Sequence, residues 1–186
     1  MRARRALEVL AILACFLLIA GINAYLRDDA PGIRWYSGAA GQTVESPVFD
    51  ITVTSVALAD SVSHSSGELV SPGVLVVVEW QADVKERRAL LGTIELHTAS
   101  GLTLVPRGEF RYSAGPAATD PGFTQHATSV FQVDPADAIG ADFVVRHDRG
   151  FAYTYGGAVR VQGVVDDSTP RFASVEITDH WVEVTP

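Results

Sequence analysis

The sequence predicts an all-β protein, an antiparallel β-sandwich preceded by one N-terminal transmembrane helix. Three observations support this prediction. A continuous apolar run occupies Ala6–Leu26, hydrophobic residues beyond Ser46 alternate with a period of two, and the apolar segments there are short and end at Gly, Pro, Asp or Ser. Short strands at regular spacing without intervening helices are typical of a sandwich.

The composition indicates one compact folded domain. Of the 186 residues, 47% are hydrophobic and 19% are charged, and the mean hydropathy is +0.18. These values exclude a disordered chain, a collagen-like repeat and a charged coiled coil. Residues 47–186 form the predicted extracytoplasmic domain, which is too small to hold a catalytic domain and a separate cofactor-binding domain.

The apolar run Ala6–Leu26 predicts a membrane anchor. As a helix it would extend for about 31 Å, which is close to the thickness of the hydrocarbon layer of a bilayer. Only Glu8 and Asn23 interrupt the run, and the basic tip Met1–Arg5 precedes it. Because positively charged flanks stay in the cytoplasm, we expect a single-pass protein of the cell membrane, with its N-terminus cytoplasmic and its C-terminal domain extracytoplasmic.

Two other interpretations of this run stay open. As a signal peptide it would be cleaved after Ala24, and the protein would then be secreted. As a lipoprotein signal, Ile12–Cys15 would be the recognition motif and Cys15 would be acylated. The length of the run and the bulky Ile22 near the cleavage site favour the uncleaved anchor, and the apolar Phe16–Ile22 favours an unmodified cysteine.

Residues 27–46 are predicted to be a linker, because glycine and proline interrupt any periodicity there. Trp35 and Tyr36 stand out in this segment. They have two interpretations, as aromatic anchors at the membrane interface or as the first contact with the folded domain. Their distance along the chain from the apolar run favours the second.

Beyond the linker the sequence contains about eight predicted strands. The strand at 48–58 alternates apolar and polar residues, and the strand at 73–84 is more continuously apolar, as expected for a central strand covered on both faces at one end. Residues 60–72 and 113–123 show no period and are predicted to be long loops. The other predicted strands span 92–98, 102–106, 126–134, 142–147, 158–165 and 173–184.

Several short motifs follow one another in a recognisable order. They are the Gly-x-Thr-Val entry at Gly41–Val44, the strands at 49–56 and 74–84, the hairpin Ala99–Gly101 and the strand end Phe131–Pro135. Their order resembles the DUF4352-type immunoglobulin-like domains of bacterial cell-envelope proteins. The resemblance covers Gly41–Val145 and implies an immunoglobulin-like sandwich in a membrane-anchored or secreted protein, with no catalytic residues to transfer. Residues 146–186 extend beyond it, so either the sandwich is enlarged or the match is architectural only.

The charge distribution argues against nucleic acid as a partner. From Asp28 onward the chain carries 10 basic and 21 acidic residues. An acidic surface repels phosphate groups, and the only local group of basic residues is Lys85, Arg87 and Arg88.

No motif in the sequence predicts a catalytic or metal site. The nucleophile elbow, the zinc-protease motif, the phosphate-binding loop and the dinucleotide-binding loop are all absent. The acidic segment Asp134–Asp142 lacks the register of a calcium loop, and Pro135 followed by Ala136 predicts a helical turn instead. We therefore predict no catalytic residue, no metal site and no cofactor. The histidines are scattered, so a metal site would need distant strands: His64, His97, His126, His147 and His180.

The most unusual local pattern is an aromatic strip of Phe151, Tyr153 and Tyr155, which share one face if the segment is extended. As a functional feature, this strip would bind a peptide, a glycan or a partner domain. As a structural feature, it would cover the open end of the core. The structural interpretation is favoured, and the strip is the one candidate binding site that the sequence offers.

These observations predict a non-catalytic, membrane-anchored binding or assembly module that acts on an envelope protein or a cell-wall partner. The alternatives are a secreted immunoglobulin-like protein and a carboxylate-based cell-wall hydrolase that uses a pair such as Asp148 and Glu176. The expected partners are the membrane, through residues 6–26, and an envelope or membrane protein. The sequence does not identify a small-molecule ligand.

Overall fold

A computed structural model of the chain describes residues 15–18, 33–65, 67–85, 89–108, 118–147 and 157–185. The chain divides into two units, Met1–Ile33 and Arg34–Pro186. In the first unit residues 15–18 are helical, and the side chains at 16–18 are exposed. No helix among the described residues has the length and apolarity needed to cross a membrane. Apart from residues 15–18, the predicted anchor Ala6–Leu26 lies outside the described residues.

The second unit consists of strands arranged in two six-stranded sheets, sheet A and sheet B. In chain order the strands are β1 (Arg34–Ala39), β2 (Thr43–Val44), β3 (Phe49–His64), β4 (Gly67–Val84), β5 (Ala89–His97), β6 (Thr103–Leu104), β7 (Ala118–Thr119), β8 (Phe123–Val133), β9 (Asp142–His147), β10 (Gly157–Gln162), β11 (Arg171–Glu176) and β12 (Trp181–Val184). One helical turn, Pro135–Ala138, follows β8. The predicted all-β sandwich and the predicted helical turn are confirmed.

Sheet A has the order β1-β10-β9-β5-β6, and β7 also pairs with β5. Sheet B has the order β11-β3-β4-β8-β12, and β2 also pairs with β3. Most neighbours are antiparallel, as predicted. The exceptions are two parallel pairs, β1 with β10 and β11 with β3, each of which adds an outer strand to a sheet. Their partners are distant in the sequence, so no hairpin turn imposes the antiparallel direction.

The main core lies between the two sheets. Alternate residues of β4 point into it, including Val76, Val78 and Trp80, which are almost completely buried. Phe131 of β8 and Phe143 of β9 complete the aromatic centre of the core. The burial of alternate residues explains the period of two in the sequence, because successive side chains of a strand point to opposite faces.

The β3–β4 hairpin extends well past the predicted strands, and the loop predicted at residues 60–72 is wrong. Two additional pairings, Ser61 with Val70 and Val62 with Leu69, continue the hairpin. A register shift separates them from the pairing of Ala59 with Leu75. The hairpin end therefore bends, and Val62 and Leu69 pack on the outer face of sheet B in a second apolar cluster.

This second cluster explains the unusual apolarity of β4. Leu75 and Val77 point away from the main core and pack in the second cluster with Val130 of β8 and Ile177. Strand β4 is thus covered on both faces over this stretch, as predicted. Polar residues would be costly at either face there, so the sequence runs through consecutive valines.

The C-terminal segment reaches both outer strands of sheet B. Strand β11 pairs with β3, whereas β12 pairs with β8 on the other side of the sheet. Residues 177–180 connect the two strands, so the single strand predicted at 173–184 is interrupted. Ile177 holds the connection in place, because its side chain is 4% exposed and its amide donates to the carbonyl of Ser63 at 2.9 Å.

The folded unit begins at Arg34, within the segment predicted to be a linker. Strand β1 contains Trp35 and Tyr36, and it pairs along its whole length with β10. Tyr36 packs against the main core. The ring of Trp35 lies under two guanidinium groups, with its centroid 4.3 Å from Cζ of Arg160 and 5.3 Å from Cζ of Arg146. Contacts with the domain therefore order residues that their composition alone assigned to a linker.

Candidate functional site

A polar cavity of about 220 Å³ lies on the outer face of sheet B, beside the second apolar cluster. Its floor is formed by Thr54 of β3, Glu79 of β4 and Thr128 of β8. Asp179 and Trp181, from the C-terminal segment, contribute further lining residues. The site is therefore built where the C-terminal segment crosses a sheet face that carries polar side chains.

The strand pairing fixes the positions of the floor residues. Glu79 pairs with Ser55 on one side and with Thr128 on the other. A bulge between Val53 and Ser55 leaves Thr54 without a partner in the ladder, so its side chain reaches the same cavity. A bulge of this kind re-aims a side chain without interrupting the sheet.

An aromatic stack forms the wall next to β12. The rings of His126 and Trp181 are 3.8 Å apart between centroids and inclined by 6°. His126 Nε2 also lies 2.9 Å from Glu183 Oε1, which binds the imidazole to the same strand. Trp181 is nevertheless 49% exposed. An indole held in place but open to solvent provides a rigid surface for a ligand.

Asp179, another lining residue of the cavity, belongs to a second histidine–carboxylate pair. His64 Nε2 lies 3.0 Å from Asp179 Oδ1, and the side chain of Asp179 remains 62% exposed. This pair connects the end of the β3–β4 hairpin to the segment 177–180. The position of Asp179 at the cavity is thus fixed, while most of its carboxylate surface stays open to solvent.

Glu79 differs from the other carboxylates around the cavity. Its side chain is exposed, and it makes no hydrogen bond or ion pair with any residue that the structure describes. The described lining of the cavity includes Glu79 and Asp179 but no lysine or arginine. Two carboxylates without a described lysine or arginine beside them favour a positively charged ligand group.

A larger and more open cleft, about 710 Å³, lies between the start of β4, β6 and the end of β8. Its charged lining residues are already engaged. Arg107 Nη1 donates to Gln132 Oε1 at 2.9 Å, and Asp134 Oδ1 accepts from the amide of Ala136 at 2.9 Å. The carboxylate of Glu79 in the smaller cavity has no such partner in the part of the chain that the structure describes, so the smaller cavity is the better candidate for a binding site.

A further charged cluster lies on the outer face of sheet A. Glu95 Oε2 is 2.7 Å from His97 Nε2 and accepts from Nε of Arg146 at 3.0 Å. The hydrogen bond from His97, aided by the charge and hydrogen bond of Arg146, holds the pKa of Glu95 below its ordinary value. Because Glu95 is buried and Arg146 lies over the ring of Trp35, this cluster joins β5, β9 and β1 and has a structural role.

The predicted binding residues Phe151, Tyr153 and Tyr155 lie outside the described residues, and so does Asp148. Glu176, the other carboxylate suggested for a hydrolase, is exposed at the end of β11. The described residues contain no group of three or more histidine, cysteine, aspartate or glutamate side chains able to hold a metal ion.

Two carboxylates of the acidic segment at 134–142 bind backbone amides. Asp134 caps the helical turn, and Asp142 Oδ1 accepts from the amide of Gly163 at 2.9 Å. These carboxylates therefore fix the ends of local elements.

Sequence reasoning did not find the cavity. Its residues come from four strands and from the connection 177–180, and His126 and Trp181 meet only because β12 pairs with β8. The one available signal is Trp181 itself, because this large aromatic residue directly follows the polar residues Thr178, Asp179 and His180. The register that brings Trp181 opposite His126 cannot be read from local periodicity.

No protein-family profile matches the sequence, and no curated protein matches it. Two solved structures are similar to it. One is a candidate lipoprotein from Bacillus subtilis, with 9% identity and a TM-score of 0.45 over 68% of this chain and 39% of the other. The second is an uncharacterised β-sandwich protein from Clostridium difficile, with 12% identity and a TM-score of 0.42 over 72% of this chain and 99% of the other. The chain thus spans well under half of the first structure.

Proposed function

We propose that this protein is a non-catalytic binding module, anchored in the cell membrane and exposed on its outer side, which binds an envelope partner through the cavity on sheet B. The observation that carries the proposal is the cavity itself, which is lined by the exposed Trp181 and by Glu79, a carboxylate with no partner among the described residues. A rigid aromatic surface next to a few placed polar groups is typical of recognition sites.

The proposed attachment rests on the N-terminal sequence. The run Ala6–Leu26 is long enough to span a bilayer, and the arginines of Met1–Arg5 favour a cytoplasmic N-terminus. Helical residues 15–18 within this run carry exposed apolar side chains, with Phe16 at 69% and Leu17 at 70% exposed. Such side chains suit a lipid environment. Release by a signal peptidase is the alternative.

The strand order supports an immunoglobulin-like classification. Strands β3, β4 and β8 occupy the positions of A, B and E in an immunoglobulin sandwich, and β5, β9 and β10 occupy those of C, F and G. Trp80 and Phe143 meet between β4 and β9, which correspond to the two strands that a disulfide joins in antibody domains. This order agrees with the resemblance to DUF4352-type domains, and such sandwiches commonly serve as extracellular binding modules.

A hydrolase is the second candidate, because Glu79 and Asp179 both line the cavity. The surroundings of Asp179 favour binding over catalysis. A general acid of a glycosidase needs a sheltered, apolar environment that keeps it protonated, whereas Asp179 is largely exposed and contacts His64. We therefore assign both carboxylates to ligand binding.

Site-directed photocrosslinking in intact cells tests the proposed function. A photoreactive amino acid replaces Thr54 in the cavity, and a matched variant carries it at Asp167, an exposed turn residue outside the cavity. We expect a discrete adduct from position 54 that is absent from position 167. Adding Trp181→Ala to the first variant should abolish the adduct.

Two results would contradict this function. One is an identical crosslinking pattern from both positions. The other is turnover of purified cell wall by the full-length protein that Glu79→Gln or Asp179→Asn abolishes, which would identify the cavity as an active site.

A further inference from the structure

The cavity on sheet B has a chemical preference that follows from its lining. We infer that it binds a cationic group, an ammonium or guanidinium, presented by its partner. This inference rests on the proposed binding function and specifies the ligand chemistry. Its basis is the combination of Glu79, Asp179 and Trp181 around one small cavity.

Charge is the first argument. Glu79 and Asp179 are the ionisable acids in the described lining, and no lysine or arginine neutralises them there. His64 is the described partner of Asp179, and Glu79 has no described partner at all. A cationic ligand could therefore bind the carboxylate of Glu79 without first displacing a described ion-pair partner.

The aromatic wall is the second argument. Trp181 is the best type of side chain for contact with a cation, because its ring carries negative charge density on its faces. Stacking on His126 fixes its orientation, so little side-chain entropy is lost when a ligand binds. A neutral apolar ligand could use the indole, but it would leave Glu79 without a partner.

The size of the cavity is the third argument. A volume of about 220 Å³ is below the range of about 300–1,000 Å³ that is usual for pockets that enclose whole small molecules. It suits one side chain or one amino-sugar ring, with the rest of the partner outside. A cation on a peptide and a cation on a glycan share this chemistry, so the experiment has to separate them.

Titration of the full-length protein in detergent tests the inference. The cationic probes are the Nα-acetyl-N-methylamides of lysine and arginine, and glucosamine represents the glycan source. The norleucine analogue, which lacks the amine, and N-acetylglucosamine are the neutral controls. We expect binding of the cations with an affinity that falls as salt is added, and weaker binding of the controls.

Glu79→Gln should weaken binding of the preferred cation by about fivefold, the effect of a well-placed exposed ion pair. Glu68→Gln is the matched control, because it removes the same charge from another exposed glutamate of β4 outside the cavity lining. Preference for lysine or arginine identifies a peptide source, and preference for glucosamine identifies a glycan source.

Equal binding of every cationic probe and its neutral control, or unchanged affinity of the preferred cation in Glu79→Gln, would overturn the inference. Failure of every cationic probe to bind the wild-type protein would also overturn the inference. The proposed function would survive these results if the crosslink at position 54 persisted and was not displaced by the cationic probes. Loss of that crosslink would instead contradict the binding function itself.

Discussion

The indole of Trp80 and the ring of Phe143 lie 5.9 Å apart between centroids, inclined by 45°, and they join the two sheets. Trp80 also donates its Nε1–H to Ser129 Oγ at 3.0 Å. Both residues of this hydrogen bond are buried, so neither can exchange it for water.

Trp80→Phe should lower the free energy of unfolding by about 2–4 kcal/mol, because it leaves a void and an unpaired Ser129 hydroxyl. Ser129→Ala should cost about 1–3 kcal/mol by leaving the indole N–H without a partner. Urea unfolding of the two variants and of the double variant measures the interaction free energy between the side chains of Trp80 and Ser129. If Ser129→Ala costs as much in the phenylalanine background as in the wild type, the hydrogen bond makes no contribution.

Gly73→Ala should destabilise the protein by about 1–3 kcal/mol. A Cβ at this position would lie 2.6 Å from the carbonyl oxygen of Val133, a backbone atom that cannot move aside. Gly108→Ala is the control, since no atom of the described residues, its chain neighbours aside, lies within 4 Å of a Cβ placed there. Thermal unfolding compares the two, and equal melting temperatures would show that β4 and β8 can separate at this point.

Glu95 should make stability depend on pH in the acid range. Its pKa in the folded protein is below the ordinary value of 4.5, so its contribution is complete at neutral pH and is lost as pH falls through the lowered pKa. Glu95→Gln should therefore reduce stability most above about pH 5 and progressively less in more acidic solution. Unfolding free energies measured against pH check this, with Glu45→Gln as an exposed control. A difference that did not change with pH would contradict the assignment.

Cell fractionation with intact-mass measurement tests the proposed attachment. We expect the full-length mass in the membrane fraction, because the run Ala6–Leu26 is long enough to span a bilayer. A shorter species that begins near Tyr25 in the medium would identify a signal peptide. A lipid-modified chain that begins at Cys15 would identify a lipoprotein. Cys15→Ser is the control variant. It removes the thiol that would be acylated, so it should affect only the lipoprotein outcome.

Much of the fold could be predicted from residue patterns. The alternation around Phe49, Ile51 and Val53 predicts a strand with one buried face, and these side chains do lie in the main core. The apolar stretch of β4 predicts burial on both faces, which the second cluster provides. Pro135 after Asp134 predicts a helical turn, and the structure shows the aspartate capping it. Each of these predictions can be made from the pattern of neighbouring residues in the sequence.

Other features depended on contacts between distant residues. The polar residues between Val62 and Leu69 resemble a loop in the sequence. The hairpin nevertheless continues there past a register shift, and Val62 and Leu69 pack on the outer face of sheet B with residues distant in the sequence. The docking of β1 depends on Arg146 and Arg160, more than a hundred residues away in the sequence. No periodicity within residues 27–46 could indicate these partners.

The sequence by itself determined the all-β class, the central place of β4 and the acidic character, because periodicity, hydrophobicity and charge can be read from neighbouring residues. Only the tertiary structure decided the candidate site. Glu79 and Trp181 lie in different strands, and they share a cavity because Ile177 holds the C-terminal segment on sheet B and β12 pairs with β8. Pairing between distant strands is set by the total packing of the domain, and short sequence patterns do not contain that information.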